Sequence, residues 1–195
     1  MTAIGLAALK SREGVRLTAY KDSVGVWTIG YGSTKGVTPG MKITQAEADK
    51  RLMDDLAAHD VMAFVTVPTT DNEADALRSI AFNIGLSGAK GSTFLRRLNA
   101  GDRAGCAAAI MLWKKPPEII SRRTAERDQF LTPYSKALPK ARSTDAKPIA
   151  APAPVEPSTP PTTTPTLASL DARIANLEKA VAGLIDNRTN TPAGA

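Results

Sequence analysis

A chain of 195 residues that is 43% hydrophobic and 23% charged can bury one good core and still carry a tail, and no run in it approaches the roughly 18 apolar residues of a membrane span. Formal net charge is +6, and because four acids face three bases after Lys147, the first 147 residues carry a surplus of +7 suited to a polyanion. Aromatics are only 5% and no zinc-finger, homeodomain or RNP-type pattern occurs, so the expected polyanion is a cell envelope and no nucleic-acid partner is implied.

At the amino end, Leu6 and Leu9 with Lys10-Ser11-Arg12-Glu13 predict a short helix that stops near Gly14 and leaves Glu13 at its end. No basic, apolar and small-residue succession marks a secretion signal, so folding in the cytoplasm is expected. From Val15 to Thr34 apolar and aromatic residues alternate between Gly25, Gly30, Gly32 and Gly36, which predicts a β-hairpin or three-strand meander. Thr38-Pro39-Gly40 reads as a turn, and Thr44 with Glu47 three residues on reads as a capping box that opens a helix.

The chain to Leu131 is then expected to be helical. Leu52, Leu56 and Val61 supply one apolar face, with His59 on the same helix. Further helices are expected over Asp75 to Ile84, Ser92 to Leu98, Asp102 to Trp113 and Ser121 to Leu131. Cys106 falls in an Ala-rich run and reads as a small buried thiol; Tyr20, Trp27 and Trp113 read mainly as core. With one cysteine and one histidine, an internal disulfide and a zinc site built on several histidines are excluded, and no metal or organic cofactor is implied.

Seven of the fourteen prolines lie between Lys147 and Thr166, a polyproline-type linker that could span roughly 60 Å if extended at about 3.1 Å per residue. Beyond it Leu167, Leu170, Ile174, Leu177, Val181 and Leu184 fall at the a and d positions of a short coiled coil. Residues 1–143 are therefore expected to form the main domain, 144–166 a linker, 167–187 an amphipathic helix, and 188–195 a disordered tail.

Glu13, Asp22 and Thr28 stand in the pattern E-x8-D-x5-T, at a helix end, in a hairpin turn and on the returning strand. Singly, such residues are ordinarily a solvated acid, an Asx-turn former and a packed strand threonine. Together they meet the needs of glycosidic cleavage: an acid to protonate the leaving oxygen, and a second group on the opposite face to activate water or attack the sugar. Glu13-Gly14-Val15-Arg16-Leu17-Thr18-Ala19-Tyr20-Lys21-Asp22, followed by Trp27-Thr28-Ile29-Gly30-Tyr31-Gly32, resembles the phage-type lysozymes of glycoside hydrolase family 24. The resemblance continues through Ala81–Gly85, Gly91–Gly101 and Ser121–Arg127, and covers about residues 4–135.

That resemblance implies an α+β, mostly helical fold: a lysozyme-like cleft between a small β-hairpin subdomain and a helical body. It implies an N-acetylmuramidase of the endolysin type, acting on the β-1,4 bonds of peptidoglycan glycan strands. Glu13 would be the general acid, while Asp22 and Thr28 orient a water that inverts the anomeric centre, with a carboxyl separation of roughly 6.5–9.5 Å. Either Arg122 or Arg123 would reach Glu13. Tyr31, Gly32, Phe82 and Asn83 are candidate substrate contacts, Phe82 as a surface for a sugar ring and Asn83 as an amide for an N-acetyl group; core packing is an equal reading of Phe82. The chain departs from many family members at Ser33, where a histidine commonly follows the glycine, and the expected effect is on local stability rather than activity.

Two biological settings fit. An endolysin without its own export signal would pass from the host cytoplasm to the wall through lesions made by a separate holin. Alternatively, a virion-associated lysozyme or structural component would dock to the particle, or to a second copy, through residues 167–187.

Overall fold

The computed structural model describes residues 1–150; the expected boundaries of the distal linker, the coiled-coil helix at 167–187 and the tail at 188–195 lie outside those residues. The first helix, α1 (Ala3–Glu13), starts where the Thr2 hydroxyl accepts from the Gly5 N–H. It ends where Gly14 takes φ 67° and ψ 168°, a conformation open to glycine, and returns its N–H to Lys10 O. Strand β1 (Arg16–Lys21) then pairs antiparallel with β2 (Trp27–Gly30), with Tyr20 opposite Thr28 and Lys21 opposite Trp27. Of the two forms expected for Val15–Thr34 the structure has the hairpin, and beyond it Lys42 adds a single bridge to Thr18, flanked by Ala19 N–H to Met41 O and Ile43 N–H to Leu17 O.

Helix α2 (Gln45–Ala58) carries the capping box expected of Thr44 and Glu47. It stops short of Val61, which instead sits in a 3-10 turn (Val61–Phe64) capped by Asp60, so Val61 does not share the face of Leu52 and Leu56. His59 is the exposed C-cap of α2, not a residue on the face of the helix. Helix α3 (Asp71–Ile84) is the central element and is followed by α4 (Leu86–Lys90), α5 (Thr93–Asn99) and α6 (Arg103–Ile110). After a 3-10 turn (Pro117–Ile119), α7 (Ile120–Leu131) packs along α3. The short α4 was not separable in the sequence, because Gly88 and Gly91 hide a five-residue helix inside what reads as a connection.

Two apolar clusters form. The larger joins Leu77 and Ile80 of α3 to Phe94 and Leu98 of α5, Cys106 and Ile110 of α6, and Phe130 of α7, with Trp113 packed at its edge. Each fully buried Leu, Ile or Phe there contributes about 1.5–3 kcal/mol relative to exposure. The smaller joins Leu9 of α1, Tyr31, and Ala48 and Leu52 of α2, with Leu6 and Phe82 against it. Helices α1 and α3 approach so closely that a Cβ on Gly5 would lie 2.2 Å from the Asp75 carboxyl. Asp75, 1% exposed, accepts from Thr2 N–H and Tyr134 Oη, which fixes the amino end of α1 on α3. After α7 the chain returns over the body: Ser143 N–H reaches Ser121 O and Ile149 N–H reaches Pro139 O. Among the described residues no helix is long and apolar enough to cross a membrane.

Candidate active site

Glu13 is the last residue of α1, and Gly14 turns the chain away immediately after it, so the carboxyl projects from a helix end held by the Leu9 core contact below. Its side chain is 17% exposed, and Arg122 Nη2 donates to Oε1 at 2.6 Å. No hydrogen bond engages Oε2 among the described residues, leaving one oxygen for substrate. The choice between Arg122 and Arg123 is thereby settled: Arg123 turns away and donates to Glu126 Oε2, to Trp113 O at 3.1 Å and to Asn83 Oδ1 at 2.7 Å.

Behind Glu13 lies a buried charged cluster. Glu126 of α7 is fully buried and accepts from Arg122 Nε at 3.0 Å, from Arg123 Nη1 and from Ser79 Oγ at 2.7 Å. Ser79 of α3 in turn accepts from Arg12 Nη1 at 3.0 Å, and Arg12 also reaches Lys140 O and Ala141 O. Burial would lower the Arg122 pKa, but Glu126 and Glu13 outweigh it and the net shift is upward. Among the described residues no carboxylate pairs with Arg12, and burial, partly offset by Glu126, lowers it to about 10. Sequence reading missed Arg12, Ser79 and Glu126. The available signal was polar residues at the core-facing positions of α3 and α7, with Arg122 and Arg123 four and three residues before Glu126.

Asp22 closes the hairpin. Its Oδ1 accepts from Val24 N–H at 3.0 Å and Val26 N–H at 2.8 Å, while its own N–H reaches Val26 O. Thr28 is 3% exposed and donates from Oγ1 to Val26 O at 3.1 Å. Directly paired residues of an antiparallel ladder share a face, so Thr28 and its partner Tyr20 stand side by side. Tyr20 lines a recess with Glu13, Gly14, Val15, Arg16, Gly30, Tyr31 and Gly32; Asp22 and Thr28 are outside that lining. Tyr20 is thus a wall of the recess rather than core, with the Arg16 guanidinium 4.3 Å from its ring centre. Trp27 is likewise half-buried, beneath Lys21.

Tyr31 is buried at the junction of recess and core. Its hydroxyl donates to Asp49 Oδ1 and accepts from Gln45 Nε2, and Lys10 pairs with Asp49 at 2.9 Å. Burial raises the Tyr31 pKa, with Gln45 opposing and Asp49 adding to the rise. Gly32 lines both this recess and a neighbouring one that includes Thr34, Asp55, His59, Ala81, Phe82 and Leu86. The two therefore adjoin at Gly32. Phe82 is half-buried against the smaller cluster, in line with its core reading, and also lines the neighbouring recess. Asn83 is exposed, and its Oδ1 accepts from Arg123. No cluster of three or more metal-ligating side chains occurs among the described residues.

An acid at a helix end, a recess that it lines together with residues of a two-stranded hairpin, and a helical body beside them define a lysozyme-like glycosidase. The phage lysozyme family model matches residues 10–126. The chain is 42% identical over 139 residues to the endolysin of Salmonella phage P22, covering 66% of this chain and 95% of that one. Among solved structures, the endolysin from Escherichia coli O157:H7 phage FAHEc1 is 41% identical with a TM-score of 0.63, covering 67% of this chain and 92% of that chain. The muramidase domain of SpmX from Asticaccaulis excentricus is 36% identical with a TM-score of 0.64, covering 68% and 97% respectively. The chain belongs to the phage lysozyme family. It is a muramidase, a glycoside hydrolase.

Proposed function

We infer that this muramidase is an endolysin that cuts the β-1,4 bond between N-acetylmuramic acid and N-acetylglucosamine, with Glu13 as general acid and Asp22 and Thr28 as holders of the attacking water. The observation that carries the reading is Glu13 itself: its Oε1 is fixed by Arg122, and the residue lines a recess together with Arg16, Tyr20 and Tyr31. In the reaction the Glu13 proton passes to the leaving glycosidic oxygen as the C–O bond breaks. A water attacks the anomeric carbon from the opposite face and gives its proton to Asp22, so the centre inverts. The carboxylate left on Glu13 meets the Arg122 cation already in contact, which stabilises the charge as it forms.

Tyr31 and Gly32 shape the floor where the sugar meets the backbone, while Phe82 and the Asn83 amide contact the next residues of the glycan. The positive surplus favours an anionic wall. Release from the host cytoplasm through holin lesions completes the reading. The heptad stripe at 167–187 would pair two copies, and sedimentation of the full chain as a monomer would sink that pairing. No observation favours a virion role.

The test is loss of turbidity of chloroform-permeabilised Gram-negative cells, wild type beside Glu13→Gln. The variant should fold normally and lose roughly 10²-fold or more of its lytic rate. A folded Glu13→Gln protein that clears walls at the wild-type rate overturns the assignment.

A further inference from the structure

The buried cluster behind Glu13 is costly. A fully buried carboxylate and two nearly dry guanidiniums lose their hydration, and apolar residues of the same volume would often serve stability as well. Its geometry has a more specific use. Arg122 bridges two carboxylates with different nitrogens, Nε to Glu126 and Nη2 to Glu13. The guanidinium is planar, so fixing one edge on Glu126 fixes the direction of the other toward the acid. Glu126 is in turn immobilised by Ser79 of α3 and Arg123 of α7, and Ser79 is held by Arg12, the residue next to Glu13 in α1. The circuit from Arg12 through Ser79, Glu126 and Arg122 back to Glu13 ties three helices around the acid.

We propose that Glu126 is a positioning residue for the muramidase reaction, acting through Arg122 to aim the Glu13 carboxyl and to hold the local charge at a value that lets it deliver a proton. The groups facing Glu126 are Arg122 and Arg123 from its own helix, Ser79 from α3, and Arg12 and Glu13 from α1. With both acids ionised the five charged groups sum to +1; without the Glu126 charge the three arginines face Glu13 alone. The inference rests on Glu13 being the acid.

The experiment compares kcat, KM and the pH–rate profile on purified peptidoglycan for full-length wild type, Glu126→Gln, Glu126→Asp, Ser79→Ala, Arg122→Lys and the Arg122→Lys, Glu126→Gln double variant, with thermal melting alongside. Glu126→Gln should lower kcat at least about tenfold with KM within twofold, and move the alkaline limb of the profile to lower pH by roughly half a unit or more, because an uncompensated cation favours loss of the acid's proton. Glu126→Asp should recover part of kcat. Arg122→Lys cannot span both carboxylates, so adding Glu126→Gln to it should cost little more, a non-additivity that a merely structural glutamate would not show. If Glu126→Gln does not fold, Ser79→Ala and Glu126→Asp decide: each keeps the carboxylate charge but loosens its hold on Arg122, so each should lower kcat with KM within twofold and leave the alkaline limb near its wild-type position. A folded Glu126→Gln protein with wild-type kcat and profile, losses that add independently of Arg122, or Ser79→Ala and Glu126→Asp that change melting alone, would overturn the proposal. Activity in Glu13→Gln would instead remove the acid assignment on which it stands.

Discussion

Ser33, buried in the turn after β2, donates from Oγ to Asp55 Oδ2 of α2 at 2.5 Å, tying the hairpin to the helical body at the position where the family commonly places a histidine. Ser33→Ala should cost about 1 kcal/mol, below the roughly 1.5–3 kcal/mol of a buried bond to a charged acceptor because Asp55 is partly solvated, and lower Tm by roughly 2–4 °C. Lysis at 25 °C should stay at the wild-type rate. An unchanged Tm would show that the link contributes nothing.

Gly14 follows the acid with φ 67° and ψ 168°, and a Cβ there would meet nothing within 4 Å. Strain in Gly14→Ala is therefore backbone strain alone, about 1–3 kcal/mol. Relief by local rearrangement would displace Glu13, so calorimetry should show a lower Tm and lytic assays a lower kcat with the fold retained. A variant with wild-type melting and kcat would mean the turn tolerates the side chain.

Asp60 caps the 3-10 turn by accepting from Met62 N–H and pairs through both oxygens with Arg78 at 3.1 Å. Burial works to raise its pKa, but Arg78 and the Met62 N–H outweigh it and the net shift is downward. A carboxyl with a depressed folded pKa adds stability that is present above its unfolded pKa, about 3.9, and lost as pH falls through the lower folded value. Melting followed from pH 7 to pH 2.5 should show Asp60→Asn less stable than wild type at neutral pH, the gap narrowing below about pH 4. A gap that is constant with pH would contradict the pair's contribution.

Cys106 lies in the larger core with its thiol fully buried, and burial, reinforced by Glu73 and Asp102, pushes its pKa up to about 12. Thiolate is the reactive form. Thiol-reactive dye should label native protein orders of magnitude more slowly than protein in denaturant. Rapid native labelling would place the thiol at the surface.

The elements legible in the sequence were those with a local chemical signature. Gly14 ends α1 because only glycine readily takes its conformation, Thr44 and Glu47 start α2 by reciprocal capping, and alternation around Gly25 gives the hairpin. The placement of Glu13 at a helix end and of Asp22 and Thr28 in the hairpin was legible because those same local elements set it. Less legible were stretches where tertiary contacts override local pattern: Val61 continues an apolar periodicity but falls after the helix has ended, and Tyr20 has the composition of a core residue yet walls the recess.

The sequence by itself determined the helix-hairpin-helix order, the position of Glu13 at a helix end, and the family. Only the tertiary structure decided that Arg122 rather than Arg123 meets the acid, and that Glu126, Ser79 and Arg12 close a circuit behind it. Residues 109 positions apart in the chain meet through the packing of α1, α3 and α7, and adjacent arginines on one helix point about 100° apart. Which of the two faces Glu13 depends on how α7 is rotated against α3, a choice made by the whole core and written in no local pattern.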